Sequence, residues 1–375
     1  MPKEIYSGET ALDQISTIVS NVKRIAVFTD KGVMGAGLLD TPLTLLKKAG
    51  KEVIIFDDLP TEPSCDEAQS VVDRFKAEKV DFIMAVGGGS VMDIAKLASV
   101  LATDDYGVRE LLETPGITRK NTRTLMIPTT AGTGAEATPN SIVTVPEKEL
   151  KVGIVNTEMI ADYVILDGRM IQNLPLKIAA STGVDALAHA IECFTSKKAT
   201  PFSDVFALEA LDLIINNIEK ACTDTEALEA KNAMLLASFY AGVAITASGT
   251  TAVHALSYPL GGKYHIPHGV SNAMMLIPVM KFNEPMCKSQ FARAYDRVNK
   301  HPEMIEESEK SAWMIQRMDE IVKHLEIPTS LSAYGIGTND LDGLVQAGMD
   351  VQRLLVNNMR EVTENDARRL YLEII

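Results

Sequence analysis

The chain has 375 residues, 46% of them hydrophobic and 23% charged, with a formal net charge of −14. This is an ordinary globular composition, long enough for two or three domains, and its acidity excludes nucleic acid and anionic membranes as partners. The opening stretch MPKEIYSGETALDQ holds no apolar signal segment, and four scattered cysteines without a CxxC exclude a disulfide framework and a thiolate zinc site, so the expected compartment is the cytoplasm.

Up to about Leu174, short β-branched runs alternate with amphipathic stretches. Arg24–Thr29, Glu52–Phe56, Asp81–Val86, Thr124–Ile127 and Tyr163–Leu166 predict strands, with helices such as Leu43–Ala49 and Asp66–Glu78 between them. Such alternation predicts a parallel sheet with helices on both faces, binding ligands at the carboxyl ends of its strands. After Pro175 the strand signals almost vanish. Helices are predicted over Ile178–Thr195, Ser203–Lys220, Glu226–Thr246, His268–Phe282, Lys288–Val298 and Ser308–Leu325, and a last one opens at Thr363 with its own N-cap and first-turn acids. The uncharged stretch Ala233–Ala255 contains Ser, Thr, Gly and Tyr and reads as a helix buried in protein, not a membrane span. The expected organisation is an α/β domain over residues 1–174 and an all-helical domain over 175–375.

Two loops of the first half suit a nucleotide. Gly87-Gly88-Gly89-Ser90 links an apolar strand to a helix, where glycines admit a close ligand and the helix start offers N–H groups to a pyrophosphate. Ser90 and Asp93 also have the spacing of a helix-capping pair. The second loop, Thr129-Thr130-Ala131-Gly132-Thr133-Gly134-Ala135-Glu136, again follows a strand. Asp30 ends the strand RIAVFTD, where a carboxylate accepts from ribose hydroxyls and repels a 2′-phosphate; the same residue also suits a helix N-cap.

The second half carries a metal-ligand pattern. Asp185 and His189 are spaced i,i+4 and share one helix face; His254 lies in an apolar helical run. Pro259, Gly261, Gly262 and Pro267 are expected to break the chain, so that His268 returns from a separate segment. Three imidazoles and a carboxylate make one complete ligand set for a divalent cation. With a cofactor from one domain and a metal from the other, chemistry is expected between them.

In this order, GGGSVMDIAK, PTTAGTGAEAT, LKVGIV, GVDALAHAIE, the His254 segment and PHGVSNA resemble the iron-containing (group III) alcohol dehydrogenase family along nearly the whole chain. The resemblance implies a dehydroquinate synthase-like fold, in which a dinucleotide-binding α/β domain precedes a helical metal-binding one, and a homodimer or larger homo-oligomer. It places the metal ligands on Asp185, His189, His254 and His268. Cofactor contacts fall on Asp30, Gly88, Gly89, Ser90, Asp93, Thr129, Thr130, Thr133, Asn140 and Lys151. The implied reaction is NAD-linked hydride transfer between an alcohol and its aldehyde or ketone, with Fe(II) as the metal and Zn(II) as the alternative.

Two departures concern the substrate. Tyr258 stands where many members carry a further histidine for proton relay, and Ile245-Thr246-Ala247 replaces a Phe-Asn-Asn-like run lining the pocket. Tyr258 and His265 are the candidates for relaying the hydroxyl proton. The altered pocket motivates an alternative reading, oxidation of a terminal hydroxyl of a polyol or sugar derivative. More distant alternatives are a lyase or cyclase resembling dehydroquinate synthase, which usually coordinates through a glutamate and two histidines, and a catalytically silent metal- or nucleotide-binding protein.

Overall fold

The computed structural model describes residues 1–103, 106–114, 116, 119–148, 150–302 and 304–375. The chain separates into two compact units, Met1–Thr130 with Gly134–Leu174, and Ala131–Thr133 with Pro175–Ile375.

The first unit is built on a six-stranded sheet. Its strands are β1 (Glu4–Ser7), β2 (Arg24–Phe28), β3 (Glu52–Phe56), β4 (Phe82–Gly87), β5 (Arg123–Pro128) and β8 (Tyr163–Leu166), in the order β1-β8-β5-β4-β2-β3. Every pairing is parallel, with Ile25 opposite both Val53 and Phe82, and Val86 opposite Ile127. All six residues of β4 are buried, which is why FIMAVG is apolar throughout instead of alternating. Ile25, Val27, Met84, Val86, Leu125 and Ile127 form the heart of one core. From β2 the chain moves outward to β3 and then returns to the other side of β2 as β4. The strand order therefore reverses between β2 and β4, the position at which open parallel sheets bind their ligands.

Two features go beyond the predicted elements. The short polar segment Glu4–Ser7 adds an edge strand beside β8, and β6 (Asn140–Val145) pairs antiparallel with β7 (Leu150–Val155) as a separate hairpin.

The second unit is helical. Leu176–Phe194, Pro201–Thr223, Leu228–Ser248, Ala252–Tyr264 and His268–Val298 are its main helices. The apolar stretch read as one buried helix is two helices, bent by 106° where Gly249 takes a φ of 70°. Among the described residues no single helix is long and apolar enough to cross a membrane, although that bent pair satisfies length and composition jointly. Pro259, Gly261 and Gly262 lie inside the Ala252–Tyr264 helix; the break comes at His265, which takes a left-handed conformation, and ends at Pro267. His268–Val298 runs unbroken through Pro278 and Pro285, one helix where two, His268–Phe282 and Lys288–Val298, were expected. This helix meets the Leu176–Phe194 helix at Gly269: a Cβ there would lie 2.1 Å from the Ser181 carbonyl oxygen, so only glycine permits the approach.

Candidate functional site

Three helices of the second unit supply the ligand set: Leu176–Phe194 carries Asp185 and His189, Ala252–Tyr264 carries His254, and His268 opens the helix after Pro267. One ligand atom from each of the four lies within 4.8 Å of the others. Asp185 is the hub, with carboxylate oxygens 3.9 Å from His189 Nδ1, 3.7 Å from His254 Nε2 and 3.5 Å from His268 Nε2. Ligands about 2.0–2.2 Å from a tetrahedral ion stand roughly 3.4 Å apart, so the set fits a small divalent cation. The rings of His189 and His254 stack at 4.5 Å between centroids. His189 Nδ1 faces the Gly132 carbonyl at 3.3 Å; a proton donated there leaves Nε2 as the ligating nitrogen.

The electrostatics of this cluster favour a cation. Burial opposes charge on Asp185, yet the surrounding His189, His268 and His254 outweigh it and hold the carboxyl well below its usual range. Burial likewise opposes charge on His254, but Glu192 and Asp185 overcome it and push the imidazole up to about 10. Two carboxylates thus already stabilise positive charge at the point where a metal would supply it.

Two further residues of the same segments, Glu192 and Asn272, join the cluster without having been singled out from the sequence. Glu192 is fully buried behind His254 and pairs with its Nδ1. Asn272, one turn after His268, donates its amide to Asp185 Oδ1 at 2.6 Å and lies 3.1 and 3.3 Å from Nε2 of His254 and His268. Position 192 shares the face of 185 and 189, and 272 that of 268, so helical periodicity was the available signal.

Tyr258 borders the cluster, its ring 6.4 Å from that of His254 and 6.1 Å from that of His268, with the Arg353 guanidinium 5.6 Å from the ring centre. His265 is exposed at a helix C-terminus, and no described contact joins it to the ligands. Ile245 is half-buried, whereas Thr246 and Ala247 are exposed.

In the first unit, Asp30, Gly88 and Thr129 all follow the carboxyl ends of strands: β2, β4 and β5. No side chain caps the helix Gly89–Leu101 at Gly88, which leaves its first-turn N–H groups for an anion. The expected Ser90–Asp93 capping pair does not form. Ser90 Oγ instead accepts from Glu62 N at 3.1 Å, while Asp93 accepts from Ile142 N at 2.9 Å and pairs with Lys96 at 3.4 Å. Lys96 also donates to the Asn140 carbonyl at 2.7 Å, tying this helix to β6. Lys151 Nζ lies 2.6 Å from Glu62 Oε1, close to the same loop. Asp30 caps the helix Lys31–Gly35 through Val33 N at 2.9 Å and lines a shallow depression with Asp57, Asp58 and Thr61. Thr129 is buried, Thr130 Oγ1 stands beside Gly88, and Thr133 belongs to the short segment that packs with the second unit.

Glu136, in the second loop, is buried with Oε1 lacking any hydrogen-bond partner among the described residues. Burial pushes its carboxyl from an ordinary 4.5 up to about 7, with Lys96 offsetting part of the shift. A carboxyl raised in the folded state favours folding fully below 4.5 and loses that advantage as pH rises through 7. Glu136→Gln removes this dependence. Between pH 5 and pH 8 the variant should gain about 2 kcal/mol on the parent in urea unfolding; parallel stability curves would contradict this.

Comparison with known proteins agrees with this geometry. Residues 2–168 match the family described as iron-containing alcohol dehydrogenase, and residues 179–375 match the C-terminal part of the Fe-containing alcohol dehydrogenase family. Long-chain-alcohol dehydrogenase 1 of Geobacillus thermodenitrificans is 33% identical over 375 residues, covering 99% of this chain and 94% of that protein. Choline dehydrogenase of Bacillus subtilis is 33% identical over 376 residues, covering 99% and 93%. The crystal structure of an iron-containing alcohol dehydrogenase from Thermotoga maritima superposes with a TM-score of 0.85 at 32% identity, covering 100% of this chain and 98% of that one. Matched in this way along both halves, the chain belongs to the iron-containing alcohol dehydrogenase family: it is a metal-dependent, NAD(H)-linked oxidoreductase that interconverts an alcohol and its carbonyl compound.

Proposed function

We propose that the chain oxidises or forms an alcohol longer or more hydroxylated than ethanol, using NAD in preference to NADP, with one divalent ion on Asp185, His189, His254 and His268. The observation carrying this reading is the convergence of those four side chains within 4.8 Å, mostly buried. Fe(II) is the expected ion and Zn(II) the runner-up, since imidazole and carboxylate suit both. Bound there, the ion supplies Lewis acidity for the substrate oxygen.

The remaining work falls to the protein. Gly88, Gly89 and Ser90 present backbone donors to the pyrophosphate, with Lys151 as the nearby cation, and Thr129, Thr130 and Thr133 offer hydroxyls. Asp30 accepts from the adenosine ribose. Asp93 and Asn140 hold their strand and helix together through Lys96, which orients the loop they flank. Held by these residues, a nicotinamide dinucleotide would supply the hydride acceptor or donor, chemistry that is the cofactor's own. Of the two groups considered for the hydroxyl proton, Tyr258 is favoured over His265 because its ring borders His254 and His268. In this reading residues 1–174 are the NAD-binding domain and 175–375 the metal-binding one. The family resemblance supports a homodimer or larger homo-oligomer, and four free cysteines suit the reducing cytoplasm.

The substrate reading rests on Ile245, Thr246, Ala247 and Tyr258 standing in place of an aromatic–amide run and a histidine. A small alcohol in a wide pocket is poorly held for hydride transfer, which needs reacting atoms about 3–3.5 Å apart. The long-chain-alcohol and choline dehydrogenases among the relatives agree with a larger substrate. A 340 nm screen of NAD with alcohols, diols and polyols, and of NADH with aldehydes, each with Fe(II) or Zn(II) added, tests it. Longer or hydroxylated substrates should exceed ethanol at least about tenfold in kcat/KM, a difference of roughly 1.4 kcal/mol in transition-state binding. If ethanol or propanol were best, the wide-pocket reading would fail. If terminal hydroxyls of polyols were best, the polyol alternative would hold.

A further inference from the structure

We propose that Glu192 is a positioning residue of the metal centre, orienting His254 through its Nδ1 so that Nε2 faces the ion. This rests on the metal reading above and names a residue outside the four-ligand set.

Glu192 is fully buried, and both of its oxygens are engaged. Oε1 accepts from Thr251 N at 2.9 Å, Thr251 Oγ1 at 2.7 Å and Val253 N at 2.8 Å, the start of the Ala252–Tyr264 helix. Thr251, at the N-cap of that helix, makes no side-chain cap of its own, so a carboxylate from the Leu176–Phe194 helix does the capping. Oε2 meets His254 Nδ1. One rigid carboxylate therefore fixes where the second ligand helix begins and how its imidazole is turned.

Three consequences follow from chemistry. A carboxylate can only accept, so Nδ1 must carry the proton and Nε2 presents its lone pair beside Asp185, 3.7 Å away. The anionic partner makes the imidazole a stronger donor to a cation. Finally, a dication held by Asp185 and three neutral imidazoles carries one excess positive charge, which a second buried carboxylate cancels.

The test separates positioning from folding. Glu192→Gln keeps an acceptor for the helix start but presents an amide to Nδ1, favouring the tautomer that cannot ligate. Affinity for Zn(II), measured on purified full-length protein by chelator competition, should fall about 10–100-fold, with helix content by circular dichroism unchanged. In a His254→Ala background the same change should cost less than about threefold, since the imidazole it orients is gone. Glu192→Asp, which keeps the charge but falls one methylene short, should show an intermediate loss and serves if the Gln variant does not fold. A parent-like affinity in a folded Gln variant, or in the Asp variant if Gln fails to fold, would overturn the proposal, as would an equal loss in the His254→Ala background. A parent that binds no zinc would overturn the metal reading itself, a distinct outcome.

Discussion

His268→Ala is expected to leave the protein folded but nearly free of metal, with alcohol oxidation reduced at least about 10³-fold, equivalent to roughly 4 kcal/mol of transition-state stabilisation. His268 is the most accessible ligand, its side chain 31% exposed against 2% for Asp185. Truncation there opens the cluster to water without leaving a hole in a packed core. Asp185→Ala should be the more severe change, because Asp185 alone faces all three imidazoles at 3.5–3.9 Å and supplies the only formal negative charge among the ligands. Without it three histidines share one buried site, and the like charges that form on protonation repel. Elemental analysis of purified variants, together with NADH formation at 340 nm, checks both. One tightly held metal ion per chain in His268→Ala would refute the ligand assignment even if activity were lost.

Asp30→Gly is expected to erode a strong preference for NAD. The carboxylate follows β2 beside the point where the strand order reverses, and Asp57 and Asp58 line the same depression. A 2′-phosphate placed there brings a charge of about −2 at pH 7 against the Asp30 carboxylate, a like-charge contact softened by Lys31 in the same depression and by the pairing of Asp58 with Arg74. The parent should favour NAD over NADP by about 10²-fold or more in kcat/KM, and the variant should narrow that ratio at least tenfold, through NADP, as expected for one lost repulsion of 1–3 kcal/mol. Asp30 also caps the Lys31–Gly35 helix, but glycine is tolerated at an N-cap at a cost of only a few tenths of a kcal/mol. Stability should therefore barely change, and the cofactor effect can be read separately. A parent with higher kcat/KM for NADPH than for NADH would end this reading of Asp30.

The parallel sheet was legible because its central strands are continuous apolar runs bounded by turn residues, FIMAVG most plainly. Glu4–Ser7 was not, since an edge strand with Glu and Ser on it lacks that signature. The β6–β7 hairpin pairs within itself, apart from a bridge between Thr144 and Ser64, and lies outside the alternation that announces the sheet. Proline misled the reading of the helical half. Pro259, expected to break the chain, lies inside a helix, where tertiary packing overrides the local cost of a missing hydrogen bond; the break comes at His265 and ends at Pro267, the one expected breaker that stands at it. The candidate ligand cluster was legible through its i,i+4 spacing and the family resemblance of its segments. Its supports were not, because Glu192 and Asn272, although they lie within GVDALAHAIE and PHGVSNA, gain meaning only where helices meet. The same limit applies to Ser90 and Asp93, whose capping spacing was outcompeted by partners distant in sequence, Glu62 and Ile142.

Three separate helices converge on the four ligands, in a chain whose cysteines are all unpaired. An ion seated there would thus also act as a covalent-like staple, closing loops that the unfolded chain leaves open at an entropic cost. Because it binds the folded state and not the loose chain, its concentration enters the folding equilibrium directly, adding about 2.7 kcal/mol when free metal exceeds Kd a hundredfold. Metal supply would then set the stability margin of the helical unit as well as the rate of turnover, so that metal-free protein stays folded with a narrower reserve.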